Sequence, residues 1–213
     1  TPSTTPPVVV PFNPSHISQI HSWYDGADSS TMALNGNQVS AWTDKNNHTT
    51  QFVQATAGSQ PILQANAIHG KSALSFDGTN DMMTANITSG VNADTTLTYV
   101  LQLTNYSSKI PFSFNTTTYS FGPDVYFNAG QITWNTGDSN SNAFSNSVTP
   151  STTSPHIITV KNDSLLNQAT LYVDGVFVGT AVYRNTSIAN FTAPRLYIGN
   201  WVSGSYHMNG YFA

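Results

Sequence analysis

The chain has 213 residues, 38% of them hydrophobic and only 8% charged, with no cysteine and a formal net charge of -4. At this length a fold buries roughly 70% of the surface its unfolded chain exposes, so one core suffices without disulfides or structural zinc. Six Lys plus Arg make no basic stripe for phosphates, which sets nucleic-acid binding aside. No apolar run approaches the roughly 18 residues of a membrane span, so no direct membrane insertion is expected, and any targeting signal is expected outside this segment.

All ten acidic residues are Asp, and there is no Glu. With Asn, Thr, Ser, Gly and aromatic residues in place of the usual Glu and Lys of helix surfaces, the composition predicts an all-β fold. Thr1 to Pro14 holds five prolines and the run Val8-Val9-Val10, a mixture that prefers extended polyproline II. Residues 1–14 are therefore expected to be a linker or stalk of a longer modular polypeptide, and residues 15–213 the folded domain.

Strands are predicted next, in chain order, at His21–Asp25, Gln38–Thr43, Ser72–Phe76, Met82–Ala85 and Thr96–Thr104. In the last of these Leu97, Tyr99, Leu101 and Leu103 share one face. Further strands are predicted at Ser113–Phe114, Tyr119–Phe121, Val125–Asn128, Gln131–Asn135, His156–Lys161, Leu171–Val173, Val176–Thr180 and Arg195–Gly199. Asp174-Gly175 reads as a two-residue type I′ hairpin turn, since both residues accept positive φ. Thr136 to Pro155, rich in Ser, Thr and Asn, is expected to be a long surface loop. Trp23, Trp42 and most Phe and Tyr are expected in the core.

Five motifs, in order, resemble the concanavalin A-like lectin/glucanase superfamily in its laminin-G-like branch. They are Trp23-Tyr24-Asp25-Gly26-Ala27-Asp28, the stretch from Asn35 to Lys45 followed by Gln60-Pro61, Gly70 to Asp81 around Phe76-Asp77-Gly78, the hairpin Leu171 to Gly179, and Leu196-Tyr197-Ile198-Gly199 with Asn209 to Ala213. The resemblance covers nearly everything after the linker. It implies a two-sheet antiparallel jelly-roll sandwich, and says less about activity, because this fold carries lectins, glycosidases, adhesion modules and virion parts. Family members continue past the Gly-Tyr-Phe-Ala step, so the resemblance also implies an incomplete last strand: either the segment is trimmed there or its edge is completed by another segment or subunit.

Catalytic readings fare poorly on the residues. Paired glutamates, which the glucanases of that superfamily use, are impossible here. The closest Asp pairs, Asp25/Asp28 and Asp77/Asp81, sit among turn formers, where Asp carboxylates serve local backbone amides. There is no Cys nucleophile, no Gly-x-Ser-x-Gly elbow, no phosphate-cradling loop, and no His set at metal-ligand spacing. Calcium is the ion that suits the oxygen donors Asp77, Asn80 and Asp81, although a plain turn uses the same residues.

Carbohydrate recognition needs aromatic faces for the apolar side of a sugar and polar groups for its hydroxyls. Two sets qualify: Trp134 and Asn135, with Asp138, leading into the polar loop, and the preferred set of Trp201, Tyr206 and His207 around Gly204. Seven Asn-x-Ser/Thr sequons occur where about five are expected by chance, which decides nothing about glycosylation. The expectation is a non-catalytic module displayed on a virion, phage fibre or cell surface that binds glycans or a host surface. The alternatives are a structural capsid or spike module that packs against neighbouring subunits and, less favoured, an Asp-based glycan-processing enzyme.

Overall fold

The computed structural model describes residues 13–46, 50–87, 94–115, 121–128, 131–135, 141–144, 148–163, 165–166, 168–182, 195–201 and 205–213, with the side chains of 115, 121–124, 134–135 and 141–143 outside that description. Most of the expected stalk lies outside it as well. Described backbone begins at Asn13, whose Oδ1 accepts the Ser15 N–H at 3.0 Å and caps a 3₁₀ turn at Pro14–His16.

The described residues form sixteen strands: β1 (Met32–Asn35), β2 (Gln38–Thr43), β3 (Gln51–Val53), β4 (Ile62–Ile68), β5 (Lys71–Asp77), β6 (Met83–Asn86), β7 (Thr96–Leu103), β8 (Lys109–Asn115), β9 (Phe121–Asn128), β10 (Gln131–Asn135), β11 (Ser141–Ala143), β12 (His156–Asp163), β13 (Gln168–Val173), β14 (Val176–Val182), β15 (Arg195–Ile198) and β16 (Asn209–Phe212). All strand pairings among the described residues are antiparallel. Neighbours run β11-β10-β9-β8-β15-β6-β3-β2-β4-β5-β16-β7-β12-β13-β14, with β1 attached to β2.

This order corrects the expected two-sheet jelly-roll sandwich. The hydrogen-bonded path has no break: short corner strands carry it across through single residue pairs, Val53 with Thr84 and Gln38 with Ile62. Its two ends, β11 and β14, lie beside each other, so one sheet curls into a nearly closed barrel. Alternating burial cannot distinguish the two architectures, because a closed sheet and a sandwich both bury every second residue.

Other expectations need correction in detail. His21–Asp25 is no strand; side-chain and isolated backbone bonds hold it, with the Trp23 N–H donating to Asp44 Oδ1 at 2.7 Å and the Lys45 N–H to Trp23 O at 2.7 Å. Trp23 is only partly buried, its ring 4.6 Å beneath Lys45 Nζ, which also bridges Asp25 and Asp28 at 2.9 and 2.8 Å. The hydrogen bond from Lys45 holds the Asp28 carboxyl at about 2. Trp42, by contrast, is fully buried against Tyr24 and Phe52, as expected. The 136–155 stretch is more than a surface loop, since it contributes β11 and the buried Phe144. β4 escapes detection because most of its side chains face solvent and its alternation breaks at Asn66, which takes φ +55 beside a register shift.

The last strand is interior. β16 pairs with β5 on one side and β7 on the other, so the open edge expected there is not found. The Asp174-Gly175 turn forms as read, with φ +53 and +78 and Val173 facing Val176. Its Asp174 carboxylate receives the Ile157 N–H at 2.8 Å and lies 2.7 Å from His156 Nδ1. The core is one cluster inside the curled sheet, built around Trp42, Phe76, Leu101, Leu103, Phe127 and Ile158.

Candidate functional site

Three segments meet where β15 runs out. Gly199 ends that strand, donating its N–H to Pro111 O at 2.9 Å and accepting the Met208 N–H at 2.7 Å. It takes φ +88, and a Cβ there would sit 2.3 Å from Phe76 Cε1, so only glycine fits. The next residue, Asn200, is fully buried. Its Oδ1 accepts the Tyr206 N–H at 3.0 Å, which turns its Nδ2 toward the His207 ring, 3.0 Å from Nδ1. One buried amide thus fixes both sides of the loop that carries Trp201, Tyr206 and His207.

Those three side chains are partly exposed. Trp201 and Tyr206 lie with ring centroids 6.1 Å apart, and Tyr126 of β9 meets Tyr206 edge-on at 5.5 Å. The Tyr126 hydroxyl donates to Ser108 Oγ at 3.4 Å, and Tyr206 O accepts the Ile110 N–H at 3.1 Å, tying the loop to β8. Tyr126, Ser108 and Asn200 were not singled out in the sequence. Tyr126 could have been, because between the inward Val125 and Phe127 it is the residue that alternation points away from the core. Asn200 carried no such signal. Trp134 and Asn135 stand on β10, in register with Val125 and Asp124 of β9; their side chains lie outside the described residues.

The candidate calcium residues, far away in sequence, adjoin this loop. Asn209 Nδ2 donates to Asp77 O at 3.2 Å. Asp77 Oδ1 accepts the N–H of Thr79 at 2.7 Å and of Asn80 at 3.3 Å, and Asp81 Oδ2 accepts the Asp77 N–H at 2.9 Å. Partial burial works to raise the Asp77 carboxyl, but those amides and the nearby His207 outweigh it and hold it below its ordinary value. Among the described residues no group of three or more His or Asp side chains is placed to hold a metal. The other Asp pair, Asp25/Asp28, is committed to Lys45 and to the amides of Ala27 and Ser30.

Asp81 behaves differently. Burial pushes its carboxyl up from 3.8 to about 6, the Asp77 amide opposing and the Asp77 charge adding to the rise. A raised carboxyl stabilises the fold while neutral, and that contribution is lost as pH climbs through 6. Asp81→Asn, which keeps an acceptor for the Asp77 amide, is expected to gain about 1–2 kcal/mol over the parent at pH 8 and almost nothing at pH 4. Urea unfolding at the two pH values measures it; an equal difference at both would show that Asp81 is not ionising in a buried site.

Comparison with known proteins gives a class through the fold. No family model matches the chain, and no curated protein matches its sequence. Solved structures do resemble it. Domain 4 of AbnA, an extracellular arabinanase from Geobacillus stearothermophilus solved with arabinotriose, aligns at TM-score 0.54 and 11% identity over 80% of this chain and 82% of that one. A heptameric SAP-like pentraxin from Limulus polyphemus aligns at 0.52 and 13% over 65% and 71%. The binding domain of botulinum neurotoxin serotype D aligns at 0.53 and 13% over 85% of this chain, which spans 46% of that domain. At such identities the likeness is one of fold alone, an all-β architecture that this chain shares with those domains.

Proposed function

We propose that the chain is a non-catalytic glycan-binding module displayed at a surface, such as that of a virion, a phage fibre or a cell. The observation that carries this reading is the convergence of the partly exposed Tyr126, Trp201 and Tyr206, with the Tyr206 ring in contact with each of the other two, at a loop fastened by the buried Asn200. Such rings offer faces to the apolar side of a sugar, and His207 and the Asp77–Asp81 turn border them with polar groups for its hydroxyls. The kinship of fold with a domain solved on arabinotriose supports the same reading.

The test is a glycan array probed with the purified protein, in calcium and in chelator. Saturable binding is expected to fall at least tenfold in Trp201→Ala and in Tyr206→Ala, with the fold retained, because both rings are partly exposed and stand outside the core cluster. Binding is expected to survive chelation, since backbone amides already hold the Asp77 turn; loss in chelator would instead assign calcium to Asp77, Asn80 and Asp81. Silence across a broad array in both conditions would overturn the glycan reading and favour a structural module that works through its neighbours.

A further inference from the structure

A second aromatic surface lies on the outward face of β7, β12, β13 and β14, away from the Trp201 loop. Register places Thr98, Thr159, Tyr172 and Phe177 side by side in one row across these four strands. Their chain neighbours Tyr99, Ile158, Val160, Leu171, Val173 and Val178 point inward and are buried, so the pleat turns the row to solvent. Phe177 is 54% exposed and meets the Tyr172 ring edge-on at 6.0 Å. Thr98 and Thr159 lie hydroxyl to hydroxyl at 3.1 Å. The adjoining row adds Ile157 and Val100 on one side, and beyond the turn Val176 is 68% exposed.

We infer that this row is a second binding site, for a neutral polysaccharide chain laid across the strands. Three features select that occupant. The row itself carries no formal charge, the exposed Lys161 standing in the next row, and its polar groups are hydroxyls that both donate and accept, which matches a polyhydroxyl chain. The row steps from one strand to the next, two threonines followed by two aromatic rings, and does not run along any one strand, so the ligand that uses it crosses the sheet. Four strands span roughly 14 Å, the reach of several sugar units in a row and more than a single ring needs. The site shares no residue with the Trp201 loop and stands or falls separately from it.

The experiment is affinity electrophoresis of the whole chain in gels containing neutral polysaccharides (arabinan, xylan, mixed-linkage glucan, galactomannan) or acidic ones (polygalacturonate, dextran sulfate), with sedimentation velocity in parallel. At least one neutral polymer is expected to retard the protein, and the retardation constant to weaken at least tenfold in Phe177→Ala and in Tyr172→Ala while Trp201→Ala keeps this component. Melting curves of the Phe177 variant are expected to match the parent, because the ring is exposed. Equal retardation of the parent and Phe177→Ala in every gel would overturn the assignment, as would retardation by the acidic polymers alone. Self-association of the parent that Phe177→Ala abolishes, without any retardation, would give the face to a second copy of the chain and overturn it too.

Discussion

Gly210→Ala is expected to lower stability by about 4 kcal/mol and the thermal midpoint by roughly 10 °C. Gly210 lies mid-strand in β16, between Phe76 of β5 and Leu103 of β7, at φ +143. A Cβ there would lie 2.1 Å from Gln102 O and 2.9 Å from Leu103 Cα. Both are backbone atoms of a neighbouring strand, so no rotamer change relieves the clash, and the two ladders that join the halves of the sheet must move apart. Overpacking alone costs about 1–3 kcal/mol, and forcing an L-residue to this φ adds about 1–2. Gly36→Ala is the control: it also has positive φ, +64, but nothing lies within 4 Å of its Cβ position. It should lose only about 1 kcal/mol. Calorimetry of the two variants decides the matter; similar midpoints would mean that the close approach at Gly210 does not limit stability.

Asn200→Leu should abolish the aromatic site while leaving the barrel folded. The side chain is fully buried, and its two ends perform separate tasks, accepting the Tyr206 N–H and donating to His207. Leucine fills similar space with neither function, and a buried N–H left without its acceptor costs about 1–3 kcal/mol. The loop relieves that cost by moving, which takes Tyr206 away from Tyr126 and Trp201. Glycan binding is therefore expected to drop more than tenfold, accompanied by a changed Trp201 contribution to fluorescence that can be read without any ligand. Asn200→Asp keeps the acceptor for Tyr206 and should rank between the parent and Asn200→Leu. Undisturbed fluorescence and binding in Asn200→Leu would remove Asn200 from the site and leave the rings to be held by packing alone.

Much of the strand content was legible in advance, for reasons visible at single residues. Leu97 to Leu103 alternates because β7 has one face in the core, and Asp174-Gly175 takes the hairpin turn that its tolerance of positive φ allows. The neighbourhood of Trp201, Tyr206 and His207 was also legible, since aromatic residues crowd a glycine-bearing loop there. Tyr126 joined them only through the pairing of β8 with β9 and of β8 with β15. The turn at Asp77–Asp81 joined them through β16, whose Asn209 reaches it from more than a hundred residues away.

By itself the amino-acid sequence determined that the chain is all-β, that paired-glutamate chemistry is absent, and which loop near the C-terminus carries aromatic rings. These follow from composition and local pattern, which act over a few residues. Tertiary structure alone decided that the strands close into one nearly continuous barrel, that β16 is interior, and that Asn200 organises the loop. Each of these depends on which strand hydrogen-bonds to which, and a period of two is blind to the identity of the neighbour.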